Sequence, residues 1–125
     1  MIKLLVVDDE KGITDALKDF FEHRGFYVKT AGSGEEAFAL MKTEYFNIIF
    51  LDITMRGISG IDMLERIKRI DKGIKVIMLT ARNEKAMMEQ AKALGADEYI
   101  TKPFRIDYLD EIVIKKVQEL LREKK

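Results

Sequence analysis

Acidic and other polar residues directly follow several short apolar runs of the sequence. Asp8 and Asp9 follow the first run, Asp52 follows the run at 47–51, and Thr80 and Lys102 follow two later runs. Carboxylates, a hydroxyl and an ammonium group could together hold a divalent cation and stabilise the charge of a transferring phosphoryl group. Such chemistry requires a fold that brings these distant positions to one place.

The cost of clustering the carboxylates indicates what the site would bind. Two carboxylates 4 Å apart repel each other by about 4 kcal/mol at an effective dielectric constant of 20. A cluster of three therefore needs a cation, and oxygen ligands without histidine or cysteine suit Mg²⁺ or Mn²⁺. A central carboxylate could then attack phosphorus and form an acyl phosphate.

The spacing of apolar residues predicts strands that alternate with helices. Strands are predicted at 3–7, 27–31, 47–51, 75–79 and 98–101, and helices begin near Gly12, Ser33, Ser59, Asn83 and Asp107. Continuous runs rich in Val, Ile and Leu are typical of strands that are covered on both faces. Regular alternation predicts an α/β fold with a doubly wound, five-stranded parallel sheet.

The predicted strand order positions the polar residues. In the flavodoxin-like (βα)5 order 2-1-3-4-5, strands 1 and 3 are neighbours. Asp8, Asp9 and Asp52 would then converge at the carboxyl edge of the sheet, where Thr80 and Lys102 would flank them. This edge is where ligands bind in open parallel sheets.

Length and composition restrict the remaining function classes. The 125 residues predict one domain, 1–125, and 22 basic residues balance 22 acidic ones, which gives no overall basic charge for nucleic acid or membrane. The absence of cysteine excludes disulfides and thiolate metal sites. With no leader pattern and no apolar stretch of about 18 residues, we expect a cytoplasmic protein.

These residues, in this order, resemble a known family. Asp8-Asp9, Asp52, Thr80-Ala81 and Lys102-Pro103 look like the motif set of the receiver domain of two-component response regulators. The resemblance extends over essentially the whole chain. It implies a switch that catalyses only its own phosphorylation and dephosphorylation, and not a separate enzyme.

The resemblance also implies a role for each matched position. Asp52 matches the phosphoacceptor, Lys102 the lysine that contacts phosphoryl oxygens, and Thr80 the switch hydroxyl. The matched Mg²⁺ ligands are the carboxylates of Asp8, Asp9 and Asp52 and the carbonyl of Thr54, with Asp8 acting mainly through water. The Ala81 N–H matches a donor to the phosphoryl group. Tyr99 matches the aromatic residue that moves inward after Thr80, and Pro103 matches a cis-proline.

Partners follow from the same resemblance. A sensor histidine kinase or a histidine phosphotransfer protein would supply the phosphoryl group, and a downstream protein would bind at helix 4, strand 5 and helix 5. Two alternatives within the family stay open: a phosphorelay intermediate, and the receiver part of a longer regulator. An aspartyl-phosphate phosphatase of the haloacid dehalogenase type is a further alternative, although Asp8-Asp9-Glu10 departs from its Asp-x-Asp motif.

Two details qualify the resemblance. Arg56 stands where the family often has proline, so the loop after strand 3 loses a rigid turn residue. Thr54 and Arg82 occupy the two variable positions that tune dephosphorylation in the family.

Gly32-Ser33-Gly34 begins a dinucleotide-like G-x-G-x-x-A pattern. Glu35 and Glu36 would repel a pyrophosphate there, so a capped helix start is the better interpretation.

Overall fold

The computed structural model describes residues 1–81 and 83–122. Its strands and helices alternate along the chain, as the apolar pattern predicts. The strands are β1 (Lys3–Val7), β2 (Tyr27–Ala31), β3 (Ile48–Asp52), β4 (Lys75–Ala81) and β5 (Glu98–Lys102). The helices are α1 (Lys11–Glu22), α2 (Gly34–Thr43), α3 (Gly60–Ile70), α4 (Lys85–Ala93), α5 (Ile106–Tyr108) and α6 (Ile114–Arg122), with a π-helical turn at Leu109–Val113 between the last two.

The strands form one parallel sheet in the order β2-β1-β3-β4-β5, which confirms the predicted fold class and strand order. The register aligns the carboxyl ends of the central strands. Val7 on β1 lies opposite Leu51 on β3, and Ala81 on β4 lies opposite Lys102 on β5. The polar residues that end these strands therefore share one edge of the sheet.

Both faces of the sheet are covered, because neighbouring residues of each strand enter different hydrophobic cores. In β1, Leu5 and Val7 belong to the core beneath α2, α3 and α4, and Leu4 and Val6 belong to the core beneath α1 and the C-terminal helical residues. All four side chains are completely buried. Burial on both faces explains why the strand runs are continuously apolar.

The helix starts agree with the capping signals at two positions. The Ser33 hydroxyl accepts the Glu36 N–H at 3.1 Å, and the Ser59 hydroxyl accepts the Asp62 N–H at 3.1 Å. The Glu36 carboxylate accepts the Gly32 N–H, one residue before the partner of a standard capping box. The G-x-G-x-x-A segment is thus a capped helix start after β2.

Some predicted boundaries differ from the observed ones. β3, β4 and β5 extend one or two residues further than predicted, so Asp52, Thr80 and Lys102 lie within the strands and not just after them. The predicted helix from Asp107 begins at Ile106 and contains the π-helical turn, which places both Leu109 and Val113 in the core. Helix 4 is predicted to begin near Asn83, whereas the residue before the observed α4 is Glu84.

Within residues 1–81 and 83–122, no helix has the length and apolar character needed to cross a bilayer.

Candidate functional site

Three carboxylates meet at the carboxyl edge of the sheet. Asp8 and Asp9 follow β1, Asp52 ends β3, and one oxygen of each lies within 4.8 Å of the others. Asp8 is 1% exposed and Asp52 is 4% exposed, whereas Asp9 faces solvent. The neighbouring positions of β1 and β3 produce this convergence, as the predicted strand order requires.

Lys102 joins the three acidic residues to the end of β5. Its Nζ lies 3.1 Å from Asp8 Oδ2 and 3.6 Å from Asp52 Oδ1, and it donates to Glu10 Oε1 at 3.1 Å. Burial lowers the pKa of Lys102, but hydrogen bonds to Glu10 and Asp8 and the charge of Asp52 outweigh burial and raise the pKa above its usual range. Lys102 therefore keeps its positive charge at this edge.

The electrostatics of Asp52 differ from those of an exposed carboxylate. Burial raises the pKa of Asp52 to about 7, and the neighbouring Asp8 carboxylate adds to the increase. The charge of Lys102 and the Thr54 N–H, which lies 3.2 Å from Asp52 Oδ1, oppose the increase without cancelling it. Without a cation, Asp52 thus binds a proton near neutral pH, and a bound cation would favour the ionised form.

Thr80 and Ala81 complete the site from the end of β4. The Thr80 side chain is 2% exposed, and its hydroxyl lies 3.1 Å from both the Ala81 carbonyl and Glu84 Oε1. The Ala81 N–H donates to the same Glu84 oxygen at 2.7 Å. A hydroxyl, a backbone N–H and an ammonium group thus border the carboxylate cluster.

Comparison with protein-family models identifies the family of this chain. Residues 4–114 match the model of the response regulator receiver domain. The chain belongs to the response regulator receiver family. Receiver domains act in two-component signalling as phosphoacceptor switches, interact with histidine kinases or phosphotransfer proteins, and bind Mg²⁺ at an acidic pocket.

Relatives of the receiver include proteins of its own size and longer ones. It is 37% identical to sporulation initiation phosphotransferase F of Bacillus subtilis over 113 residues, which cover 90% of this chain and 91% of that protein. It is 41% identical to the response regulator SaeR of Staphylococcus epidermidis over 104 residues, 83% of this chain but only 45% of SaeR. The chain thus spans less than half of that longer relative.

Solved structures agree with the fold. A receiver domain protein (CheY-like) from Methanospirillum hungatei JF-1 superposes with a TM-score of 0.89 at 31% identity, covering 99% of each chain. The chemotaxis response regulator CheY4 of Vibrio cholerae superposes with a TM-score of 0.84 at 28% identity, covering 96% of this chain and 98% of that one.

The receiver's remaining predicted residues lie near the cluster or on the adjoining face. Tyr99 on β5 pairs with Met78, and Thr80 pairs with Thr101, so Tyr99 and Thr80 point to the same side of the sheet. Tyr99 is half-buried, and Lys92 Nζ lies 5.1 Å from its ring centre. The Lys102–Pro103 bond is cis, the geometry that the resemblance implies.

The loop after β3 contacts the cluster through its backbone. The Arg56 N–H lies 3.3 Å from Asp9 Oδ2, a contact that proline could not make because it lacks the N–H group. The departure from the family pattern therefore supplies an additional donor to Asp9. The Thr54 side chain is exposed and contacts Glu84, whereas Arg82 lies outside the described residues.

Sequence reasoning did not assign three residues that the structure places at the site. Glu10 contacts Lys102, Glu84 contacts Thr80 and Ala81, and Gly60 lies against the backbone of Asp52. Glu10 is adjacent to the acidic pair, and Glu84 lies in the first turn of a predicted helix, so both have ordinary explanations in the sequence. The close approach at Gly60 depends on how the loop folds back on β3.

Proposed function

We propose that Asp52 accepts a phosphoryl group from a phosphohistidine of a sensor kinase or a phosphotransfer protein. The observation that carries this proposal is the convergence of Asp8, Asp9 and Asp52 with Lys102, whose ammonium lies 3.6 Å from Asp52. An Asp52 oxygen attacks phosphorus, the P–N bond to the histidine breaks as the P–O bond forms, and the imidazole leaves with the bonding electron pair.

The oxygen-only donor set fits Mg²⁺ or Mn²⁺. The carboxylates of Asp8, Asp9 and Asp52 and the carbonyl oxygen of Thr54 would hold the ion, with Asp8 acting mainly through water. When bound, the ion would neutralise carboxylate charge and stabilise the negative charge of the transferring group.

Three groups of the chain itself would bind the phosphoryl oxygens. The Lys102 ammonium would contact one phosphoryl oxygen, and the Ala81 N–H and the Thr80 hydroxyl would donate to others. Burial of Asp52 restricts attack to a phosphorus atom that enters from the open edge of the sheet. The ends of β4 and β5 position these donors beside the carboxylate cluster.

Phosphorylation would act as a switch because it adds charge next to Thr80. Movement of Thr80 toward the phosphoryl group would draw Tyr99 inward and change the face formed by α4, β5 and the C-terminal helical residues. We propose that a downstream protein binds this face.

Location in the cytoplasm, where ATP supplies a kinase with its phosphoryl group, is part of the same proposal.

The comparisons favour one further role within the family. The match to sporulation initiation phosphotransferase F covers 91% of that protein, which supports a phosphorelay intermediate that passes its phosphoryl group on. In that case residues 1–125 would act as one receiver domain. The partial match to SaeR supports the alternative in which the receiver is one part of a longer regulator.

The phosphoacceptor role is tested by incubation with Mg²⁺ and a small acyl phosphate, followed by intact mass spectrometry. We expect the mass of one phosphoryl group to be added to the wild type and to Asp19→Asn, an exposed aspartate on α1, and no addition to Asp52→Asn. Equal labelling of Asp52→Asn would contradict the proposal. Turnover of a phosphomonoester that is lost in Asp8→Asn and kept in Asp52→Asn would favour the phosphatase alternative.

Cation binding is tested by thermal unfolding. Because a cation that binds only the folded state stabilises it, a tenfold excess of Mg²⁺ over its Kd should add about 1.4 kcal/mol, or roughly 5 °C in Tm. Asp9→Asn should lose most of this increase, and Asp19→Asn should keep it. An unchanged wild-type Tm at millimolar Mg²⁺ would count against the cation site.

A further inference from the structure

The Glu84 carboxylate is held at the site by three hydrogen bonds. Glu84 Oε1 accepts the Ala81 N–H at 2.7 Å and the Thr80 hydroxyl at 3.1 Å. Glu84 Oε2 accepts the Thr54 hydroxyl at 2.5 Å. Thr54 follows β3 and Thr80 lies next to Ala81, the last residue of β4, so the carboxylate bridges the loop after β3 and the end of β4. No role as a helix cap explains these contacts, because the Glu84 side chain does not cap α4.

Two of these donors are the groups that the proposed function assigns to the phosphoryl group. The Thr80 hydroxyl has one proton, and the Ala81 backbone has one N–H. Neither group can donate fully to Glu84 and to a phosphoryl oxygen at the same time. In this structure, the Ala81 N–H is therefore engaged by an anion that the protein itself supplies.

The charge state of Glu84 is consistent with such a role. Burial raises the pKa of Glu84, but the hydrogen bonds from Thr54, Ala81 and Thr80, together with the Lys102 charge, outweigh burial and lower the pKa. Glu84 is thus an ionised carboxylate at neutral pH, and it offers the same kind of charged acceptor as a phosphoryl oxygen.

We propose that the Glu84 carboxylate is an internal competitor of the phosphoryl group for Thr80 and Ala81. This inference rests on the proposed function of Asp52 and adds a regulatory step to it. Phosphorylation displaces Glu84 from its donors, and Glu84 immediately precedes Lys85, the first residue of α4. Displacement therefore transmits the phosphorylation state to the start of a helix on the proposed partner face.

The competitor model makes a kinetic prediction for Glu84→Gln, which removes the charge and preserves the shape of the side chain. The transition state for labelling needs the donors that Glu84 occupies, so the second-order rate constant with an acyl phosphate should rise about tenfold, the ratio equivalent to 1.4 kcal/mol. Both the phosphorylated protein and its hydrolytic transition state already have Glu84 displaced, so the decay half-life should change less than about twofold.

Two variants serve as comparisons. Glu89→Gln removes the same charge from an exposed position of α4 and should label at the wild-type rate. Thr54→Val removes the donor to Glu84 Oε2 but neither the Thr80 nor the Ala81 donor, and it should raise the labelling rate by a smaller factor than Glu84→Gln. A merely structural role of Glu84 predicts a lower Tm and no acceleration, so acceleration separates the two explanations.

A binding measurement tests the inference even if covalent labelling fails. Inorganic phosphate in the presence of Mg²⁺ can be titrated while the Ala81 amide is followed by NMR, and Glu84→Gln should bind phosphate about tenfold more tightly than the wild type. Tighter binding without labelling of Asp52 would overturn the proposed function and support the competitor. Equal phosphate affinity in wild type and variant, or an unchanged labelling rate in a folded Glu84→Gln, would overturn the competitor.

Discussion

At pH 8 and without metal, Asp52→Asn is expected to be more stable than the wild type by up to about 4 kcal/mol. The wild type must keep Asp52 ionised at 4% exposure beside the Asp8 carboxylate, and asparagine removes that charge. The expected gain follows from the raised pKa of Asp52, about 7, compared with 3.8 for an unperturbed aspartate. The attraction of Lys102, whose ammonium lies 3.6 Å from Asp52, is already included in this raised pKa.

The pH dependence of this gain has a definite sign. Below about pH 4, Asp52 is protonated in both the folded and the unfolded chain and contributes no difference. Between about pH 4 and 7, the unfolded chain releases its proton while the folded protein keeps it, so wild-type stability falls relative to the variant as pH rises. Above about pH 7 the difference is constant.

Urea unfolding of both proteins in a chelating buffer, from pH 4.5 to 8, measures this difference. Asp19→Asn, on the exposed surface of α1, should follow the wild type at every pH. Added Mg²⁺ should narrow the gap, because the cation stabilises ionised Asp52 in the wild type. A variant that is equally stable or less stable than the wild type at pH 8 would contradict the proposed electrostatics of the cluster.

The sequence predicts the fold and the carboxylate cluster well because both depend on simple periodic features. The apolar runs specify strands buried on two faces, and β1 and β3 are adjacent in the observed order. Asp8 and Asp52 then meet because Asp8 directly follows β1 and Asp52 ends the neighbouring parallel strand β3. Lys102 reaches the same edge for the same reason, since it ends β5.

Contacts made by loops could not be predicted in the same way. The Glu84 side chain turns back to Thr54 and Thr80, and its position depends on two loops whose conformations have no periodic signal. The Arg56 N–H contact with Asp9 likewise depends on the backbone path, although the absence of proline makes it possible. Such contacts require coordinates, because the same residue types elsewhere would be solvated.

Gly60→Ala is expected to destabilise the protein by about 3 kcal/mol or more, the cost of forcing a methyl group into a filled space. A Cβ atom at Gly60 would lie 2.0 Å from the Asp52 carbonyl oxygen and 2.8 Å from the Ile53 Cα. Both neighbours are backbone atoms of the strand end and its loop, so neither can rotate away. The Gly60 N–H also donates to the Ile53 carbonyl at 3.1 Å, which holds the start of α3 against this backbone.

Gly12→Ala provides a control with the same chemical change. Gly12 lies in α1, and apart from its chain neighbours and the backbone of its own helix, no described atom comes within 4 Å of the Cβ that alanine would add there. Alanine should therefore stabilise the protein by roughly 0.5–1 kcal/mol, because it lowers the conformational entropy of the unfolded chain and favours the helix. The two substitutions are thus expected to have opposite signs, and urea unfolding measures both.

The Gly60 variant also connects the fold to the proposed function. To admit a methyl group, the start of α3 must move away from Asp52 or displace the Asp52 carbonyl, and either change disturbs the end of β3. We therefore expect a folded Gly60→Ala to label with an acyl phosphate at least tenfold more slowly, since small displacements of a reacting group are costly. Gly12→Ala should label at the wild-type rate. Wild-type stability and labelling in Gly60→Ala would show that the close contact between α3 and Asp52 does not position the carboxylate.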